Sequence, residues 1–360
     1  MRSHLKMLAV AGLTLALLGL SLWGVDFTRV WREILGAQAW ALGLLLACTA
    51  LTYVLRALRW QYLLLPIGPT RFREAFRTTV IGFAANTVLP LRAGEMVRPY
   101  LLARREGLSV AATFTTIIIE RILDLVTVLV FFGLFVLFFD PGLDRVNGAL
   151  YQTVKFGGLM GAAGSGGVLL ILALNAARPA LVHRLIDFFL RFLPERLRGK
   201  LAGLIYGLLD GLAVTRDPLR LAQSIALSVP LWLSIAGGIW MAMLAFHMTV
   251  PFTASFLIMT LLVVGVAAPT PGAVGGFHAA FRYGATVFYG VDNDRAVGAA
   301  LVLHAASFVP VTLLGALFMM QDGLNLSRVR SIGDEARASG TPAMVPAPAG
   351  VDAEGGVPRG

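Results

Sequence analysis

Charge is scarce in this chain. Asp, Glu, Lys and Arg make up only 14% of its 360 residues, against 57% hydrophobic residues. A water-facing surface needs roughly twice that charged share, so a soluble globular domain is excluded and lipid is the natural solvent. Cysteine is almost missing: Cys48 stands alone within an apolar run, which excludes an internal disulfide and any Cys-rich metal centre. His247, His278 and His304 lack the paired spacing of metal ligands, so no metal or other cofactor is expected. The glycines at 157, 158, 161, 164, 166 and 167 are not followed by Gly-Lys-Ser/Thr, which removes a phosphate loop. The formal net charge of +10 comes from arginines set in short stretches between apolar runs, a pattern of membrane topology and not of nucleic-acid binding.

The apolar runs themselves predict an all-α integral membrane protein of about six to eight transmembrane or re-entrant segments. Met1 to Gly24 carries Arg2 and Lys6 before its apolar stretch, and no small-x-small cleavage site follows it, so it is expected to stay as a first span. Further runs of spanning length lie at about 40–58, 117–139, 155–175, 220–247 and 296–320. Two stretches are too short and end in breaks: Thr78 to Leu89 before Pro90, and Thr253 to Ala268 before Pro269-Thr270-Pro271-Gly272. Both predict broken or re-entrant helices.

Arginine counts give the orientation. Arg56, Arg59, Arg71, Arg73 and Arg77 precede the first broken segment and Arg98, Arg104 and Arg105 follow it, which places both its ends, and both chain termini, on the cytoplasmic side of the cell membrane. The two breaks then open from opposite faces, and the halves at about 40–139 and 220–320 have the layout of an inverted repeat, whose interrupted helices mark a substrate site near the midplane. Between the halves, about 178–217 forms a cytoplasmic connector. It begins with an amphipathic stretch, Leu181 to Leu197, and continues with Gly199, Gly203, Gly207 and Gly211 as a packing stripe. The membrane domain is expected to end near 325, and 326–360 is expected to be a disordered cytoplasmic tail.

Three constellations carry the chemistry. In the first, Asn86, Pro90, Arg92, Gly94, Glu95 and Arg98 surround the first break, where an ionised side chain at membrane depth must face protein or a wet cavity. The second puts Thr113, Thr116, Glu120, Asp124 and Thr127 on one helical stripe with Arg121 at its edge, and two acids on one face demand cationic partners such as Arg92 and Arg98. In the third, Pro271, Gly272 and Gly275 open a half-helix whose free N–H groups can hold a phosphate, with His278 and Arg282 on one face and His304 in the last span able to join them. Each set also has a purely structural reading, as ion pairs and inter-helix hydrogen bonds that fasten the bundle.

Asn86, Leu89-Pro90-Leu91-Arg92-Ala93-Gly94-Glu95 and Arg98, then Glu120-Arg121 and Asp124, then Pro269-Thr270-Pro271-Gly272 and Gly275, taken in order, resemble the signature of the flippase-like membrane domain family, which includes the membrane region of lysylphosphatidylglycerol synthases. The likeness covers roughly 5–325. It implies a lipid translocase that moves, or helps to move, an anionic, aminoacylated or glycosylated lipid between leaflets. The resemblance thus implies membrane lipids as partners, and leaves open a lipid-modifying enzyme or further copies of the chain. No aminoacyl-transfer domain is expected after Leu326, so synthase activity is not implied. His278, where Glu stands in some members, and Ala273, in place of Gly, imply an altered headgroup preference. The rival readings are a membrane-embedded transferase or hydrolase that uses Glu95, Glu120 or Asp124 as acid or base, and a non-transporting partner of a lipid-modifying enzyme.

Overall fold

The structure, a computed structural model, describes residues 2–89, 94–138, 148–191, 218–267 and 270–325, together with 194, 198, 329, 331 and 332. These residues are predominantly helical, with no strand among them. The helices are α1 (Arg2–Leu22), α2 (Phe27–Leu35), α3 (Ala39–Leu64), α4 (Phe72–Val88), α5 (Gly94–Glu106), α6 (Val110–Phe138), α7 (Gly148–Ala177), α8 (Pro179–Leu190), α9 (Pro218–Ala245), α10 (Ala254–Ala267), α11 (Gly276–Tyr283) and α12 (Asn293–Gln321). A 3₁₀ turn, Pro271–Ala273, precedes α11, and a π turn, Gly284–Phe288, follows it.

Five helices, α3, α6, α7, α9 and α12, are long and apolar enough to cross a bilayer, and each overlaps one of the expected runs. The pair α1 and α2 makes a sixth candidate, bent by 77° at its joint. Asp26 starts α2 by accepting the backbone N–H groups of Thr28 and Arg29. Large apolar side chains stay exposed around the bundle, among them Trp23, Leu137, Leu170, Val264 and Leu313, as a lipid-facing surface requires. The chain is a multi-pass membrane protein.

The two short stretches form helical hairpins. α5 returns along α4 so closely that a Cβ on Gly94 would lie 1.9 Å from the Gly82 carbonyl oxygen, and only hydrogen fits there. α11 returns along α10 in the same way, with a Cβ on Gly265 set 2.4 Å from the Gly276 carbonyl oxygen. The tips of the hairpins meet: the Gly272 position faces Thr87 at van der Waals distance. Pro90 and Arg92 lie outside the described residues, as do Gly199, Gly203, Gly207 and Gly211 of the expected connector.

α8 turns Val182, Ile186 and Leu190 inward, the spacing expected of an amphipathic connector. Beyond α12, Val329 and Ile332 are buried in a cluster with Ile81, Leu89, Val97, Leu101 and Met319. These two apolar residues cover the first hairpin.

Candidate functional site: a charged cavity between two broken helices

Four helices build a buried charge network. The expected stripe on α6 faces inward, with Thr113, Thr116, Glu120, Asp124 and Thr127 all buried. α5 supplies Arg98, whose Nη1 donates to both Glu120 oxygens at 3.0 and 3.1 Å while its guanidinium lies 3.8 Å over the Trp60 ring. α3 supplies Arg56 and Arg59. Arg59, wholly buried, has Nη2 2.8 Å from Asp124 Oδ1 and donates through Nη1 to Ser228 Oγ at 2.9 Å. Arg56 Nη1 lies 3.4 Å from Asp124 Oδ2 and 3.7 Å from Glu120 Oε1. From α9, the Trp232 indole N–H donates to Asp124 Oδ1 at 3.0 Å. Arg121 closes the set, with Nη1 3.4 Å from Asp124 Oδ2 and Nη2 3.5 Å from Glu95 Oε1. Four guanidinium groups thus face three carboxylates, and the described cluster keeps one positive charge in surplus.

This network forms one wall of a cavity of about 440 Å³. Its polar end carries Arg56, Asn86, Glu95, Arg121 and Asp124, and its other walls are apolar, with Met259, Leu262, Val263 and Phe308 among them. Both hairpin tips reach it, the first through Asn86 and Thr87, the second through Thr270, Gly272 and Ala273. Asn86 Oδ1 and Thr270 Oγ1 are buried without a hydrogen-bond partner, and Thr270 is only 8% exposed. Orphaned polar atoms in such a site need a guest or water.

The sequence-predicted residues divide into three groups. Asn86, Glu95, Arg121, Asp124 and Gly272 line the cavity. Arg98 and Glu120 stand behind it as a buried pair, and Gly94 belongs to the hairpin seam. The remaining described residues are engaged by other parts of the chain. Arg282 turns away to the end of α1, where it donates to the carbonyls of Leu20, Ser21 and Trp23 and to Asn293. The Gly275 position packs against Leu17 of α1. His304 Nε2 lies 2.7 Å from the Gly272 carbonyl oxygen, and Pro271 opens the 3₁₀ turn. Among the described residues no group of three His, Cys, Asp or Glu could hold a metal ion.

Arg56 and Arg59, counted as cytoplasmic flanking charges, are members of the buried network. Arg56 falls inside the apolar stretch at 40–58, and α3 runs six residues past that stretch, which carries Arg59 into the bundle as well. The length of the helix was the signal, together with the spacing of Thr52, Arg56, Arg59 and Trp60 on one face.

The family model described as lysylphosphatidylglycerol synthase TM region matches residues 7–315. A UPF0104 membrane protein of Methanothermobacter thermautotrophicus is 25% identical over 316 residues, covering 84% of this chain and 90% of that protein. A protein named glycosyltransferase AglD, from Haloferax volcanii, is 26% identical over 354 residues, and the match spans 91% of this chain but 56% of the relative.

Proposed function

Because the chain belongs to the lysylphosphatidylglycerol synthase transmembrane-region family, we propose that its cavity receives the headgroup of an anionic, aminoacylated or glycosylated lipid and passes it between the leaflets of the cell membrane. The observation that carries this reading is the meeting of two helical hairpins, one from each half of the chain, at a cavity with a charged end and apolar walls. A phosphate finds Arg56 and Arg121 there, an amine finds Glu95 and Asp124, and acyl chains find Met259, Leu262 and Phe308. Interrupted helices supply backbone groups at membrane depth only where protein or a hydrated site satisfies them. In transporters such paired breaks flank the substrate and rock around it. The inverted relation of the halves and the cytoplasmic placement of both termini belong to this proposal.

A leaflet assay in liposomes tests it. Arg121→Gln and Glu95→Gln proteins of normal abundance are expected to lose transfer of a fluorescent anionic phospholipid, and unchanged transfer in both rejects the site. The enzymatic reading draws on the glycosyltransferase name of one relative and on the carboxylates at the cavity. Mass spectrometry of lipids incubated with the pure protein separates the two, since a new covalent product favours the enzyme and redistribution of unchanged lipid favours the translocase.

A further inference from the structure

The bend after α1 leaves a short helix with two unlike faces at one end of the bundle. α1 runs 21 residues, about 31 Å at helical rise, so it crosses the hydrocarbon layer without help from its neighbour. α2 turns from it by 77°, close to the plane of the membrane. Its nine residues include Arg29, Arg32 and Glu33, too many charges for the hydrocarbon itself.

Packing fixes which side of α2 faces the protein. Val30 is buried, and Glu33 and Ile34 lie against the Gly298 position of α12. Glu33 pairs with Arg295 at 3.0 Å, and the Asp26 backbone N–H donates to Asp294 Oδ1 at 3.1 Å. Arg282, from α11, holds the last carbonyls of α1. The rest of α2 is uncovered. Phe27, Trp31 and Leu35, four residues apart along one stripe, are 63%, 61% and 68% exposed, and Trp23 at the joint is exposed as well. Arg29 lies on the opposite side of the helix from Trp31, with Arg32 on the flank, and both are exposed. The acids nearby are engaged within the protein. Glu33 holds Arg295, Asp294 accepts the Asp26 N–H, and Asp292 accepts the N–H groups of Asp294 and Arg295. Asp26 caps α2 and lies 3.5 Å from Arg29, which leaves the charge of Arg32 unmatched among the described residues.

We infer that α2 is a membrane-surface helix whose partner is anionic phospholipid in the leaflet at the end of α1. Phe27, Trp31 and Leu35 enter the boundary between acyl chains and headgroups, while Arg29 and Arg32 meet the phosphates. An apolar stripe with a cationic back, set nearly square to a spanning helix, is the pattern by which helices lie in an interface. Tryptophan settles at that depth because its ring is amphipathic, and a guanidinium binds phosphate through charged hydrogen bonds. The inference goes beyond lipid translocation and stands or falls separately from it, because its tests involve no transfer between leaflets.

Single thiols introduced by Arg29→Cys and by Trp31→Cys, on a Cys48→Ser background in nanodiscs, test the placement. With a membrane-impermeant maleimide, the Arg29→Cys protein is expected to react as an exposed thiol and the Trp31→Cys protein many-fold more slowly, with the difference gone in SDS. Equal rates in nanodiscs put α2 in water and overturn the inference. A fluorophore on Thr28→Cys, between the apolar stripe and Arg32, tests the partner. Phosphatidylglycerol carrying a nitroxide high on its acyl chain is expected to quench it more than about two-fold better than phosphatidylcholine with the same label, since one arginine at an anionic surface contributes up to about a five-fold preference. Arg29→Gln with Arg32→Gln, both surface changes, is expected to bring the ratio to unity. A ratio of unity before these changes, or a ratio that they leave unaltered, overturns the inference. Protection of the Trp31→Cys thiol without quenching by either lipid assigns the stripe to a second copy of the chain and overturns it as well.

Discussion

At the scale of single residues, the charges sort by whether they hold the bundle or face its cavity. Arg59 is wholly enclosed and shared between Asp124 and Ser228, so removing it leaves a carboxylate short of a partner in a low-dielectric interior. Breaking a buried pair on one side costs about 3–5 kcal/mol. Arg59→Met and Asp124→Asn are therefore expected to lower thermal stability in detergent strongly, to the point of poor recovery. Arg59→Lys is expected to restore only part, because a single ammonium cannot span the same two partners as a forked guanidinium. Arg121 contrasts with them: its side chain is 37% exposed and turned to the cavity. Arg121→Gln is expected to cost less than about 1 kcal/mol while removing lipid transfer. If Arg121→Gln instead destabilises as much as Arg59→Met, Arg121 is scaffold and not site.

Half of this network was legible in the chain. The α6 stripe follows from helical periodicity, and two acids on a buried face announce that cations must come from somewhere. Arg98 was legible as one source, whereas Arg56 and Arg59 were grouped with the cytoplasmic arginines, because hydropathy falls there whether the helix stops or continues. The pairing with Glu120 and Asp124 joins positions more than 60 residues apart, and no local pattern contains it.

At the scale of elements, the hairpins rest on glycine. A methyl group at Gly94 or Gly265 would collide with a backbone carbonyl oxygen, which cannot move aside as a flexible side chain can. Gly94→Ala and Gly265→Ala are expected to cost at least about 2–4 kcal/mol, seen as a drop in melting temperature, because the hairpin arms must part. Gly164, in α7, has nothing within 4 Å of its Cβ position. Gly164→Ala is expected to be neutral or to stabilise by up to about 1 kcal/mol through helix propensity. Equal losses at all three glycines would show that the seam is not the cause. The breaks themselves were visible in the sequence, since proline and glycine interrupt runs too short to cross. The contact between the tips was not, because it depends on how two hairpins from distant parts of the chain approach one another.

At the scale of the molecule, this approach makes a claim about motion. The cavity is walled by both tips, and translocation by rocking requires that they separate and close again around the lipid. A fixed groove, along which lipids slide, requires no such movement. The Gly272 position lies 3.4 Å from the Thr87 methyl, close enough for a disulfide between Thr87→Cys and Gly272→Cys once Cys48 is replaced. Cysteine at Gly272 must adopt a positive φ, at an expected cost of about 1–2 kcal/mol. The oxidised double variant is expected to retain bound anionic lipid by native mass spectrometry and to lose leaflet transfer, with transfer returning on reduction. Transfer that survives oxidation assigns the work to a static groove. Loss of both binding and transfer places the lipid's entry between the tips themselves, because a closed seam then keeps it out.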